Sequence, residues 1–242
     1  MARALRIQYP GAHYQVTCRG NEKRAVFEDT QDQKTFLEKL SLSSNIYNVP
    51  ILAYVCMTNH FHLLLCTPDG NLSEFMRHFN ISYTAAFNRR HGRVGHLYQG
   101  RYKAFLIDVD NYLLEVSRYI HLNPIRVKAF SKNSAKEKWN ALLGYEWSSL
   151  PGYCALGKRK HFMNYETVLG YMGADDRKGR LAYREFIKWG IEKDVVNPLD
   201  LGKGLGIIGE EDFVEWVKEE FLSKTKGDKR EQPKKALQKE PC

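Results

Sequence analysis

Residues 51–66 read ILAYVCMTNHFHLLLC. Two apolar runs, Ile51–Met57 and His60–Cys66, flank the pair Thr58-Asn59, and a two-residue break between such runs predicts an antiparallel hairpin. Neither run carries an acidic or basic charge, so the hairpin is expected to supply the central strands of a sheet. Side chains two apart on a strand share a face. His60 and His62 therefore emerge side by side, with Phe61 turned to the opposite side.

Working outward from the hairpin, His13–Arg19 alternates and is broken by Gly20-Asn21, a strand and turn pattern. Phe36, Leu37, Leu40 and Ile46 recur at helical spacing over Thr30–Tyr47, and Pro50 opens the next element. Beyond the Pro68-Asp69-Gly70 turn, Leu72, Phe75, Met76, Phe79, Tyr83 and Phe87 trace one face of a long helix that ends at Gly92. Tyr102–Ile107 reads as a fourth strand. Asp110 is expected to cap a helix over Asn111–Leu122, buried through Leu113, Val116 and Ile120 and stopped by Pro124. The order βαββαβ plus a helix predicts an α+β, ferredoxin-like split βαβ core, its helices on one face and its other face open for a site.

That core is expected to occupy residues 1–128. A polar connector (SKNSAKEKWN, residues 131–140) then leads to helices near Tyr165–Met172, Arg177–Glu192 and Glu210–Leu222, making 129–223 a connector and helical accessory region. Residues 224–242 are Lys-rich and nearly free of large apolar side chains, and are expected to be a disordered basic tail.

Of 242 residues, 43% are hydrophobic and 12% aromatic, enough for a sizeable core and too many for a disordered chain. Thirty-seven Lys and Arg against 28 Asp and Glu leave a net charge of +9, which calls for an anionic partner, nucleic acid foremost. No apolar run approaches the about 20 residues of a membrane span, and the start lacks the apolar stretch of a secretory signal. A cytoplasmic protein without a membrane partner is expected. Cys18, Cys56, Cys66, Cys154 and Cys242 form an odd set without C-x-x-C and read as reduced packing residues.

Paired imidazoles on one strand face are the geometry of two metal ligands, because a cation or a phosphate relieves the cost of desolvating them. Hydrogen-bonded surface histidines are the plain alternative. Tyr119 and Asn123 are four apart and share a helix face at the edge of the Leu113/Val116/Ile120 stripe. Asn123 could add an amide oxygen as third ligand, and two imidazoles plus an amide with positions open for phosphate and water suit manganese or magnesium functionally, with zinc or copper the tighter binders. Glu115, one turn before Tyr119, is assigned to a solvated helix face.

Three stretches, YVCMTNHFHLLL, FNRRHGRVGHLYQGRYKAFLID and YLLEVSRYIHLNPIR, together resemble the single-tyrosine HUH transposases, in particular the REP-associated tyrosine transposases. The likeness covers about residues 5–150, including Trp147-Ser148-Ser149. It implies a metal-dependent DNA-strand transferase in which His60 and His62 are metal ligands, Asn123 is the amide residue completing the metal site and Tyr119 is the nucleophile. It also implies a 5′-phosphotyrosine intermediate, a released 3′-hydroxyl and no nucleotide cofactor. The REP-associated branch implies a monomer, where related insertion-sequence enzymes exchange their tyrosine helices in a dimer.

Between Met76 and Ile107 stand Arg77, Arg89, Arg90, Arg93, Arg101 and Lys103 with no Asp or Glu. Interleaved with His91, His96, Tyr98, Gln99 and Tyr102 in a Gly-punctuated loop, this block is expected to track single-stranded or hairpin DNA, phosphates on the cations and bases on the rings. In the family this region and the first strand help to hold the hairpin, which adds Arg19, Asn21 and Arg126 as candidates. A domesticated hairpin-binding protein that does not cut, and a hydrolase of small phosphoesters, are the competing functions. Residues 204–209 (GLGIIG) have the form G-x-G-x-x-G. No strand is expected before them, so they predict a turn into a helix and no dinucleotide site. Asp108 and Asp110 are explained by a strand end and a helix cap.

Overall fold

A computed structural model of the chain describes residues 7–193 and 195–223, so the basic tail expected over 224–242 lies outside the described residues. The core elements run β1 (Ala12–Arg19), α1 (Thr30–Tyr47), β2 (Ile51–Met57), β3 (His60–Thr67), α2 (Leu72–Arg90), β4 (Lys103–Ile107) and α3 (Val109–Leu122). Five further helices follow: α4 (Ala135–Gly144), α5 (Leu150–Cys154), α6 (Glu166–Gly170), α7 (Arg177–Glu192) and α8 (Glu211–Val217), with a two-residue strand β5 (Ile207–Ile208) before the last. The expected βαββαβ order and the α+β class are present. The sheet order is β2-β3-β1-β4-β5, all antiparallel except the β4–β5 pair.

Two expectations change here. The middle hairpin supplies only one inner strand, β3, which pairs with β2 on one side and β1 on the other, leaving β2 at the end of the sheet. The face opposite α1 and α2 is also not open. Phe61 points toward α1 and α2, where its ring packs on Phe36 and Phe79 at 4.9 and 5.8 Å between centroids. His62 points the other way and meets Tyr119 of α3 at 5.5 Å. The last helix of the core thus covers the second face, and α7 packs on its back.

Asp29 starts α1, accepting from the Gln31 and Asp32 amides at 2.9 and 3.1 Å, as an N-cap carboxylate should. At α3 the cap position is Asp108, not Asp110. Asp108 accepts from Asn111 Nδ2 at 2.9 Å, whereas Asp110 accepts from the Tyr171 hydroxyl at 3.0 Å. The helix begins at Val109, two residues earlier than expected, because β4 ends at Ile107 and runs straight into it.

The region after residue 128 closes both edges of the sheet. On the outer edge of β2, the Cys56 amide donates to the Trp147 carbonyl at 2.9 Å and the Ser149 amide to the Tyr54 carbonyl at 3.0 Å. On the outer edge of β4, the Leu106 amide donates to the Gly206 carbonyl and the Asp108 amide to the Ile208 carbonyl, both at 2.8 Å. Unpaired strand edges are templates for aggregation, and here neither long edge is left bare. The GLGIIG stretch therefore contains an edge strand where only a turn into a helix was expected. The polar connector likewise hides α4, opened by a capping box between Ser134 and Glu137.

Gly20 ends β1 in a tight corner. Its amide donates to the Asn59 carbonyl at 2.8 Å, and a Cβ at this position would stand 2.1 Å from the Arg24 carbonyl oxygen. Because backbone cannot swing aside as a side chain can, Gly20→Ala is expected to cost about 1–2 kcal/mol of stability, read from denaturant midpoints at constant slope.

Candidate active site

The register of β1, β3 and β4 builds one floor of polar side chains. His62 lies opposite Thr17, and Thr17 opposite Lys103, while His60 lies opposite Arg19. Directly opposed residues share a face, so His60, His62, Thr17, Arg19 and Lys103 all rise toward α3. The two imidazole centroids are 5.1 Å apart and nearly perpendicular. His62 is 5% exposed and its ring stands edge-on to Tyr119. The expected meeting of the histidine pair with the tyrosine is therefore present.

Burial holds both imidazoles neutral. Desolvation pushes His62 down to about 3, helped by the proximity of His60. His60 is lowered by burial first and by the Arg19 guanidinium second. A neutral imidazole is the ligating form, and the Asn59 Oδ1 at 2.8 Å from His60 Nδ1 requires the proton there, which leaves His60 Nε2 bare. Donor chemistry at this position fits a divalent metal. Among the described residues no group of three or more His, Cys, Asp and Glu could hold one.

Tyr119 is half-buried. Desolvation raises its phenol above the ordinary range, while the Arg126 guanidinium and a hydrogen bond from Asn123 pull it back and Asp200 pushes it up. Arg126 lies 5.2 Å from the Tyr119 ring centroid. Asn123 Nδ2 donates to the Tyr119 carbonyl at 2.8 Å, an i to i+4 contact that fixes the amide beside the tyrosine. Proline at position 124 ends the helix at this point, so the tyrosine stands in its last turn.

The basic block divides in space. Arg77 and Arg89 are exposed on α2, on the side of the sheet away from the histidine pair. Arg90 donates to Asp29 Oδ1 and Asp32 Oδ1 at 2.8 and 2.6 Å, and His91 joins the same Asp32 at 2.9 Å. The stretch without acids in sequence is thus partly neutralised by the start of α1. Tyr98 and Tyr102, expected as stacking platforms, are 9% and 8% exposed. Tyr98 packs on Phe61 at 6.0 Å between centroids, and the Tyr102 hydroxyl lies 3.5 Å from Ser73 Oγ. Their rings belong to the core because the loop folds back along β1. There the Gln99 amide donates to the Arg19 carbonyl at 2.8 Å and the Asn21 amide to the Leu97 carbonyl at 2.9 Å. That loop gathers Arg19, Asn21 and exposed Gln99 at the end of the sheet that carries His60. Exposed His96 and Arg101 lie on the same loop, exposed Lys103 begins β4, and Arg93 lies 5.4 Å from the Phe87 ring.

Three residues at the site were not singled out from sequence. Asn59 and Gln15 contact His60 and His62, and Asp200 approaches Tyr119 from the accessory region. Polar side chains at the alternate positions His13, Gln15 and Thr17 of β1 were the available signal for Gln15. Asp200 had none, because it is 81 positions from Tyr119 in the chain.

Residues 8–123 match the family model of IS200-like transposases. Among solved structures, a REP-associated tyrosine transposase bound to a REP hairpin has a TM-score of 0.51 at 17% identity, covering 69% of this chain and 93% of that one. A transposase candidate from Deinococcus radiodurans R1 matches at TM-score 0.34 and 13% identity over 48% of this chain and 94% of that one. The tRNA(His) guanylyltransferase of Saccharomyces cerevisiae matches at 0.35 and 13% over 56% and 78%. The first establishes a shared fold; the other two are too distant to bear on it. No curated protein matches the chain. No helix among the described residues is long and apolar enough to cross a membrane.

Proposed function

We propose, from the premise that residues 8–123 belong to the IS200-like transposase family, that this protein cleaves and rejoins single-stranded DNA beside a hairpin through a 5′-phosphotyrosine intermediate, as a member of the REP-associated branch. The observation that carries the reading is the convergence of a β3 imidazole pair and an α3 phenol, 5.1 and 5.5 Å between successive ring centroids. Rings edge-on at these distances are in contact, so in this reading the phosphate lies beside the three rings and not between them.

In this reading Tyr119 Oη forms a bond to phosphorus as the bond from phosphorus to the 3′-oxygen breaks, and the phenolic proton ends on that oxygen. The phosphoester bond is conserved, so rejoining needs no nucleotide cofactor. Arg126 favours the phenolate against the burial that opposes it. His60, His62 and Asn123 would hold a magnesium or manganese ion, which when bound supplies Lewis-acid polarisation of the phosphate. Arg19, Asn21, Arg93, His96, Gln99, Arg101 and Lys103 guide the single strand to the site, and Arg77 and Arg89 on the far side meet the hairpin stem. The core (1–128) carries the chemistry, the accessory region (129–223) holds α3 in place so that one chain forms a complete site as a cytoplasmic monomer, and the tail (224–242) adds sequence-independent DNA affinity.

A foldback oligonucleotide with varied single-stranded flanks, incubated with the protein and manganese, should give a denaturant-resistant protein–DNA adduct that disappears on chelation. Tight hairpin binding without adduct on any flank would replace the enzyme with a DNA-binding protein that does not cut.

A further inference from the structure

The two candidate ligand imidazoles are each backed by an amide, and the two amides do opposite things. Asn59 Nδ2 donates to the Lys23 carbonyl at 3.1 Å, which turns Oδ1 toward His60, where it accepts the Nδ1 proton at 2.8 Å. His60 thereby presents a bare Nε2. Behind His62, on the neighbouring strand β1, Gln15 Nε2 lies 2.7 Å from Nδ1. An amide nitrogen can only donate, so the neutral His62 ring carries its proton on Nε2, the wrong tautomer for a ligand through that atom.

Gln15 is fully buried, and its Oε1 has no hydrogen-bond partner among the described residues. A buried carbonyl oxygen without a partner costs about 1–3 kcal/mol. Among the described residues the amide nitrogen's only other hydrogen bond is to the Val16 carbonyl at 3.4 Å, at the limit of a hydrogen bond. Gln15 is therefore weakly held in an orientation that satisfies half of its amide.

Resting on the metal-dependent reading above, we infer that Gln15 is a positioning residue that sets the tautomer of His62, its amide making a half-turn when a divalent metal takes the His62 Nε2 lone pair. After the turn Oε1 accepts the Nδ1 proton and Nε2 faces the metal bare. The ring gives up its Nε2 proton and gains one at Nδ1 through solvent, so its proton count does not change. The turn leaves a buried N–H where a buried C=O was orphaned, which disfavours it until the metal–nitrogen bond forms. Outer amides and carboxylates of this kind fix ring orientation and raise ligand basicity.

The test uses the full chain with 15N-labelled histidine, with zinc as a diamagnetic probe and manganese for affinity. Long-range nitrogen–proton spectra should show His60 protonated at Nδ1 throughout, and His62 moving from Nε2–H to Nδ1–H when zinc is added. Manganese titrated by electron paramagnetic resonance should bind Gln15→Met about 10–100-fold more weakly than wild type. Gln15→Glu, which keeps an acceptor at that position, should stay within about threefold. Metal binding with the His62 tautomer unchanged, or a Gln15→Met variant that binds manganese like wild type, overturns the inference and leaves the functional reading standing. Should Gln15→Met fail to fold, the wild-type spectra and Gln15→Glu decide the matter. A wild type that binds neither ion removes the metal site and the inference together.

Discussion

Tyr119→Phe is expected to give no covalent adduct with hairpin DNA and to lose strand cleavage by at least about 10³-fold, the scale on which loss of a nucleophile is felt. The change removes one hydroxyl from a half-buried ring, and the ring's edge-on contact with His62 and the Asn123 bond to its backbone carbonyl do not depend on that oxygen. Metal-free hairpin affinity should therefore stay within about twofold, because phosphate contacts and not the phenol carry it. Measuring adduct and affinity on the same preparation separates the two roles. An adduct that persists in Tyr119→Phe would move the nucleophile elsewhere and end the assignment.

His121→Ala should destabilise the fold by about 3 kcal/mol at pH 8, combining a cavity with lost hydrogen bonds. His121 is fully buried and stands in a one-way chain of hydrogen bonds. The Ser149 hydroxyl donates to its Nε2 at 2.7 Å, its Nδ1–H donates to the Tyr183 hydroxyl at 2.8 Å, and that hydroxyl donates to Ser117 Oγ at 2.9 Å. The chain ties α3, two residues beyond Tyr119, to the 147–149 segment on one side and to α7 on the other.

Every donor in that chain is used with the ring neutral, and desolvation pushes His121 from 6.5 down to about 3. Above the upper value the folded and unfolded states both hold a neutral ring. Between the two values only the unfolded state takes the proton, so stability falls as the pH falls, by at most about 1.4 kcal/mol per pH unit for this group. Urea unfolding of the metal-free protein between pH 8 and pH 4 should show that loss, and His121→Ala should show a shallower one. A slope equal to wild type in the variant would mean that His121 titrates freely and that the chain of hydrogen bonds is not formed.

Much of the site was readable before any fold was known, and the reason is geometric. A strand repeats every two residues and a helix every 3.6, so His60 and His62 had to share a face and Tyr119 and Asn123 had to neighbour each other once the element types were right. What could not be read was which distant side chain would claim a group. Arg90 looks available for DNA until Asp29 and Asp32 arrive from α1. Tyr98 and Tyr102 look like stacking rings until their loop pairs back along β1 and draws them into the core. Gln15 looks like one more polar residue in a strand until β3 sets His62 beside it.

From sequence alone came the hairpin, the paired imidazoles, the tyrosine in the last turn of its helix and the seven core elements in order, because each depends on residues a few positions apart. The tertiary structure decided the order of strands, the closing of both sheet edges by residues 147–149 and 207–208 and the covering of the second face by α3. Those edge segments are two or three residues long and show no periodicity. Their conformation is stabilised by the unpaired backbone of a strand more than 90 positions away, and a local pattern holds no record of such a partner.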